Sequence, residues 1–556
     1  MKIERDVAIP MADGIVLRGN LFRPDSTARF PVIVSLGIYG KDIHFADGYA
    51  PQWKILTGLY PGLATEGSSG RWLRWEVPDP ERFVPAGFAI LVVDARGSGK
   101  SPGYLDALSP RETQDYAEVI AWAAAQPWSN GRVGLLGVSY LAIKQWQVAA
   151  LRPPGLAAIC PWEGGSDHYR DWSHHGGIPS DGFATAWWPR QVLVNQHGSA
   201  ATPYRDRDTG EPVTGAPLPE ALLPGNRADH PAELARHPLD DAWHRDRSPD
   251  LARIEVPLLS AGNWGGPGLH LRGNVEGFLR AGSREKWLSL HVGTHYESFY
   301  LPDYVAMQQR FFAHFLADAP NGWRAEPRVR LAIRTPEGTR PHTAPRWPLP
   351  ETDFQNWYLD ARNLSLSRTP PEAAGSLDYT AEGAGVTFTT APFATPVTLA
   401  GPIVARLSMV SSTDDLDLFV TLRVLRPDGS EFRFTGAHEP TPLTRGWLRA
   451  SHRRIDRARS RPFRPWHLHE APIRLAPGEV ADLGVEIWPT SFAFPAGWRL
   501  AVTLQGRDFE YPGIPGRILH GAARQNEPAR FGNTHRLLSG PNHPCHILLP
   551  VIPEAR

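Results

Sequence analysis

The residues best suited to chemistry are Gly137-Val138-Ser139-Tyr140, which follow an apolar run of strand length and precede a helical stretch, LAIKQWQVAA. A serine at a sharp strand-to-helix turn is held exposed in a strained conformation, and a glycine two places earlier avoids collision with it. The backbone N–H of Tyr140 then points to where negative charge develops during acyl transfer. The pattern G-x-S-x-G is incomplete, because Leu141 and Ala142 follow. A serine that merely capped a buried helix would not need the strand before it. A nucleophilic serine needs a base, and Gly293-Thr294-His295 offers an imidazole in the loop after another apolar run, residues 286–293. His291 lies inside that run and reads as structural.

Other groupings carry less. Asp94-Ala95-Arg96-Gly97-Ser98-Gly99 is not G-x-G-x-x-G and reads as a structural turn whose Arg96 pairs with carboxylates. His168 with His174 and His175 could suggest a metal, but adjacent histidines on a helix cannot both face one ion comfortably. Asp414-Asp415-Leu416-Asp417 lacks the spacing and glycine of a calcium loop and reads as a solvated turn. Trp172, Phe183, Trp187, Trp188 and Trp264 are candidates for lining an apolar substrate pocket, with core packing the competing explanation.

The elements that must position these groups follow a clear rhythm. Continuous apolar runs at 31–39, 88–97, 133–140 and 156–162 suit strands of a parallel sheet buried on both faces. Between them, residues 109–126 predict a helix, with Ser109 as N-cap, Glu112 three residues on, and Tyr116, Val119, Ile120 and Ala123 on one face. Strands alternating with helices imply an α/β, doubly wound sheet. The rhythm breaks over 166–250, which is polar, rich in Pro, Gly and Trp, and reads as a helical cap over the ligand-binding edge. It resumes over 251–324 with apolar runs at 256–264 and 286–293 and helices near 269–281 and 304–317. From 325 to 556 alternating runs and turns such as Pro427-Asp428-Gly429 and Pro495-Ala496-Gly497 predict an all-β unit. Residues 341–352 read as a linker, and residues 1–165 form the first part of the α/β unit.

Several stretches resemble the cocaine esterase / Xaa-Pro dipeptidyl peptidase group of serine hydrolases: LFRP (21–24), IYGKD (38–42), VVDARGSGKSPG (92–103), WSNGRVGLLGVSYLA (128–142) and GWLRASHR (446–453). The order of segments matches as well. The resemblance implies an α/β-hydrolase sheet with an inserted helical cap and a C-terminal jelly roll, and Ser139 as nucleophile. Tyr39 matches the tyrosine whose hydroxyl completes the oxyanion hole with the Tyr140 N–H. Its place at the end of a sheet strand suits that role independently. His295 stands where the family has its base, in a loop two residues shorter than usual. The family's acid position falls in Gly262-Asn263-Trp264-Gly265-Gly266, which has no carboxylate. Glu163, directly after the run 156–162 and followed by two glycines, occupies the neighbouring rim slot and is the expected triad acid. Asp167, Asp171 and Glu297 are rivals; Asp167 looks more like a helix cap.

Composition excludes several classes. The 556 residues exceed one hydrophobic core, so three or four units are expected at roughly 100–200 residues each. Fifty-eight basic and 58 acidic residues balance, which argues against a nucleic-acid or anionic-membrane partner. Two cysteines, Cys160 and Cys545, make neither a disulfide framework nor a cysteine zinc site. No apolar leader or membrane span is evident, so a soluble, cytoplasmic protein is expected. The expected activity is cleavage of a small ester or amide through an acyl-enzyme, with no metal or organic cofactor. Xaa-Pro dipeptidyl peptidase or α-amino-acid ester hydrolase action is the first alternative, and a catalytically inactive ligand-binding homologue the second. A homo-oligomer is compatible with the sequence.

Overall fold

Apolar, largely β-branched runs can be satisfied only between two covering layers, and they form the centre of the first sheet. In the computed structural model, which describes residues 1–436, 440–476, 478–513, 518–521 and 527–553, this sheet has ten strands. They are β1 (Lys2–Pro10), β2 (Val16–Arg23), β3 (Phe30–Gly37), β4 (Ala89–Asp94), β5 (Ser129–Val138) and β6 (Leu156–Trp162), then β7 (Leu258–Asn263), β8 (Lys286–His291), β9 (Val329–Thr335) and β10 (Gly338–Ala344). The spatial order is β1-β2-β4-β3-β5-β6-β7-β8-β9-β10. The strands from β4 through β9 pair in parallel, and β1, β2 and β10 are antiparallel additions at the edges.

Helices α1 (Pro110–Ala124), α2 (Tyr140–Ala149), α3 (Leu271–Arg280) and α4 (Pro302–Ala317) cover the sheet. The expected cap of α1 is present: the Ser109 side chain accepts from the Glu112 N–H, while the Glu112 carboxylate accepts from the Leu108 N–H at 2.9 Å. The core joins Ile33, Val34, Leu91, Leu135 and Ile159 of the strands to Trp146, Phe311 and Phe312 of the helices.

Two irregular insertions lie over the carboxyl ends of the strands. The expected cap contains short helices at Asp181–Trp187, His230–Arg236 and Ala242–Asp246. The second insertion, between β3 and β4, holds Phe45–Gly48, Ala50–Leu59 and Pro80–Phe83. It has no counterpart in the sequence reading.

Val329–Thr335 was expected in the all-β unit beginning at 325, yet it pairs in parallel with β8, Leu288 opposite Val329. Its alternating pattern reflects an outer position in the first sheet, where one face is less covered. The second sheet begins at Asp353–Asp360 and ends at His546–Ile552. His546–Ile552 pairs with both Asp353–Asp360 and Val397–Ser411, so the strands close on themselves as a barrel. The turns at Gly429 and Gly497 have positive φ, as their sequences require. Trp264, Leu290 and Leu331 pack with Phe419, Trp447 and Trp488 of the barrel in one cluster that joins the two units.

Candidate active site

The parallel strands all end at one edge, and the residues singled out by sequence gather there. After β5, Ser139 adopts φ 59° and ψ −116°, and α2 begins at the next residue. The turn is pinned on both sides: the Ser139 N–H donates to the Trp162 carbonyl and the Val138 N–H to the Glu76 carbonyl. A Cβ at Gly137 would lie 2.7 Å from the Leu141 Cβ, so glycine is required there. Leu141 occupies the place of the missing second glycine because Gly37 on β3 leaves room; a Cβ on Gly37 would lie 3.2 Å from Leu141.

Tyr140 is fixed at its far end, donating to Glu112 and accepting from the Leu108 N–H at 3.0 Å. That anchorage holds its backbone N–H in the first turn of α2, where helix N–H groups lack helical acceptors. Tyr39 follows β3, and its hydroxyl accepts from Trp187 Nε1 at 3.0 Å. Burial pushes the Tyr39 phenol well above its ordinary range and the nearby Glu76 charge adds to this, while hydrogen bonds from Trp187 and Ser139 oppose it. The phenol therefore stays protonated, as an oxyanion donor must.

Glu163 sits directly after β6 with φ 46°, and its Oε2 accepts from His295 Nδ1 at 2.8 Å. Asn263, at the tip of β7, donates to Glu163 Oε1 at 3.3 Å and to the Gly293 carbonyl at 2.9 Å. The rim position where the family's acid was sought is closed to a side chain, since a Cβ at Gly265 would lie 2.6 Å from the Thr435 carbonyl oxygen of the barrel. The rivals have other partners. Asp167 caps the turn 168–173 and pairs with Arg170, and Asp171 pairs with Arg272. Glu297 accepts from the Thr294 N–H at 3.0 Å and so shapes the loop that carries His295.

Ser139 Oγ has a histidine neighbour that the sequence reading did not name. His270 Nε2 lies 3.2 Å from Ser139 Oγ, and its ring stacks on His295 with centroids 5.1 Å apart. His295 presents Nε2 to Glu76 Oε1 at 3.0 Å. A carboxylate is a stronger acceptor than a neutral hydroxyl for an imidazole N–H. Burial alone would lower the His295 imidazolium; Glu163 first and Glu76 second overcome it and push it up to about 10. Burial raises the Glu76 carboxyl to about 7 against the pull of His295. His291 lies 3.6 Å from Glu163 Oε1, and burial lowers it.

Glu76 and His270 were both missed in the sequence. Glu76 lies in the insertion after β3, which has no periodic pattern, whereas His270 stands at the start of α3 on the same rim and was open to reading. Of the aromatic candidates, Trp187 reaches the site and packs on Tyr140, with ring centroids 6.2 Å apart. Trp172, Phe183 and Trp188 pack behind it. Trp264 is not there: its indole donates to the Ala332 carbonyl and meets Trp347. Successive residues at a strand end face opposite ways, so Asn263 faces the site and Trp264 faces the barrel. Arg96 makes a bidentate pair with Asp115, as its structural reading requires. His168 is paired with His244, and Asp417 with Arg449.

An elbow serine, an imidazole bonded to a carboxylate and a phenol on the same rim of an α/β-hydrolase sheet define a serine acyl hydrolase as the class. Residues 13–297 match the family model described as X-Pro dipeptidyl-peptidase (S15 family), and residues 321–548 match the X-Pro dipeptidyl-peptidase C-terminal non-catalytic domain. The chain belongs to the S15 family of serine hydrolases. It is similar to a CocE/NonD family hydrolase from Staphylococcus aureus, 33% identical with a TM-score of 0.85 over 99% of this chain and 94% of that one. It is 24% identical to the cocaine esterase of Rhodococcus sp. (strain MB1 Bresler), over 99% of this chain and 98% of the esterase. An α-amino acid ester hydrolase shares the fold at 17% identity, with a TM-score of 0.70 over 99% of this chain and 96% of that one. Among the described residues no helix is long and apolar enough to cross a membrane.

Proposed function

We propose that the chain hydrolyses carboxylic esters in two steps through an acyl-enzyme on Ser139. His295, neutral at Nε2, takes the serine proton as Oγ attacks the carbonyl. The Tyr39 hydroxyl and the Tyr140 N–H hold the oxyanion. His295 then gives its proton to the leaving alkoxide, activates water, and returns a proton to Ser139. Glu163 keeps the Nδ1–H tautomer and stabilises the imidazolium. The observation that carries this reading is the carboxylate–imidazole pair Glu163–His295 in the same buried cluster as an elbow serine. The role of base falls to His295 rather than His270 because a base must be oriented from behind, and His295 has the carboxylate on its Nδ1.

Ester cleavage is favoured over action on substrates with a free amino group. Such substrates need a carboxylate to hold an ammonium, and Glu76 and Glu163 at the site are both bonded to His295. The test is pre-steady-state release of p-nitrophenol from p-nitrophenyl acetate. Wild-type enzyme gives a burst equal to the enzyme concentration, and Ser139→Ala gives none, with kcat down by about 10⁶. A burst persisting in Ser139→Ala would overturn the reading.

A further inference from the structure

The contact between His295 Nε2 and Glu76 falls on the one nitrogen that must face Ser139 during turnover. We infer that Glu76 is a positioning residue that holds the reactive nitrogen of His295 in the resting enzyme and governs how readily it becomes a base. The inference rests on the reading of Ser139 and His295 given above.

The placement of Glu76 is built into the fold. It is a buried, non-glycine residue held at φ 63°, a left-handed conformation that surrounding structure must impose. Its carbonyl accepts from the Val138 N–H, one residue before the nucleophile, so its backbone and the elbow are a single hydrogen-bonded unit. Trp75 beside it is stacked on Tyr49 at 3.9 Å, and Tyr300 donates to the Arg74 carbonyl at 2.9 Å. These contacts lock the segment 74–76 against the site. Exchanging Glu76 Oε1 for Ser139 Oγ is therefore a change of partner within one cluster.

The proton balance follows. The resting pair shares one proton between Nε2 and Oε1. When it is released to solvent, His295 becomes a neutral imidazole with Nδ1–H on Glu163 and Glu76 remains a carboxylate. Nε2 is then free to take the Ser139 proton, and later gives that proton to the leaving alkoxide. A proton from solvent restores the resting pair after the acid product leaves, so Glu76 is unchanged over the cycle. The groups that face the pair are Glu163 after β6, His270 before α3, His291 at the end of β8, and the phenols of Tyr39, Tyr49 and Tyr300. Glu76 is the carboxylate bonded to Nε2, at 3.0 Å.

The sign of the effect is fixed by this arrangement. A carboxylate on the imidazole stabilises its charged form, so removing it makes the neutral base available at lower pH. The experiment is the pH profile of kcat/KM for p-nitrophenyl acetate in wild-type enzyme and in Glu76→Gln, each normalised to its own plateau. The acid limb of Glu76→Gln moves down by at least about one pH unit. An unmoved limb overturns the inference. Histidine labelled with ¹³C at Cε1, assigned by comparison with His295→Gln, gives a second readout that needs no turnover. In wild-type enzyme the His295 resonance titrates well above the ordinary histidine range, and a titration near 6.5 overturns the inference even if Glu76→Gln does not fold. Fluorophosphonate labelling separates the two levels. Labelled Ser139 with an unmoved limb removes only the role of Glu76, whereas unlabelled Ser139 removes the underlying function.

Discussion

Replacing Glu163 by glutamine changes one atom and tests the relocated acid. Glu163 Oε2 accepts from His295 Nδ1 at 2.8 Å, while Oε1 accepts from Asn263 Nδ2 at 3.3 Å. A glutamine amide has one acceptor and one donor end, so it cannot satisfy both neighbours as the carboxylate does. With its oxygen toward Asn263, its NH₂ points at His295 Nδ1 and selects the tautomer with Nε2–H, which cannot accept the serine proton. With the amide reversed, two NH₂ groups collide at Asn263. Either outcome leaves the base in the wrong tautomer or the cluster strained. The loss of kcat in Glu163→Gln is therefore about 10⁴, or about 5.5 kcal/mol of transition-state stabilisation. The assay is steady-state hydrolysis of p-nitrophenyl acetate with the burst amplitude as active-site count. Adding Asn263→Asp gives the amide an acceptor for its NH₂, turns its oxygen back to Nδ1–H, and restores on the order of tenfold. Activity in Glu163→Gln within about tenfold of wild type would refute the assignment of the acid.

Other outcomes follow from the same geometry. Tyr39→Phe removes one oxyanion donor and lowers kcat by about 10²–10³ with little change in KM; an unchanged kcat, measured on the same ester, would exclude Tyr39 from the hole. Gly265→Asp does not rescue Glu163→Gln, because its Cβ would meet the Thr435 carbonyl oxygen at 2.6 Å; kcat recovered by this substitution would show that the rim is open there. Burial pushes His230 and His467 down to about 3, and His244 and His452 down to about 4. Below about pH 6.5 the unfolded chain therefore binds protons that the folded chain refuses, and stability falls toward pH 4 by about 1.4 kcal/mol per pH unit for each such histidine. Urea midpoints at pH 7.5, 6 and 5 measure this, and a flat series would contradict it.

Much of this architecture was legible because local signals and tertiary demands coincide. The run Leu156–Trp162 is a strand over its full length, and Ser109 caps the helix it precedes. The elbow was legible because Gly137 has a steric reason to be glycine that the turn itself creates. Glu163 was legible only by elimination along the rim, since nothing local distinguishes it from a solvated loop glutamate. Glu76 was not legible: it comes from an aperiodic segment, and its left-handed backbone is imposed by contacts rather than by a glycine. Trp264 misled because composition reveals an aromatic residue near the site but not which way a strand end turns it. Val329–Thr335 carried strand grammar without showing which sheet would take it.

The most direct measurement is the rate and site of fluorophosphonate labelling, read by peptide mass spectrometry, in wild-type enzyme, His295→Ala and His270→Ala. The account predicts one adduct, on the peptide carrying Ser139, formed at least about 10³-fold more slowly in His295→Ala and within about tenfold of wild type in His270→Ala. An adduct on another residue, or a rate that collapses in His270→Ala and survives in His295→Ala, would contradict it.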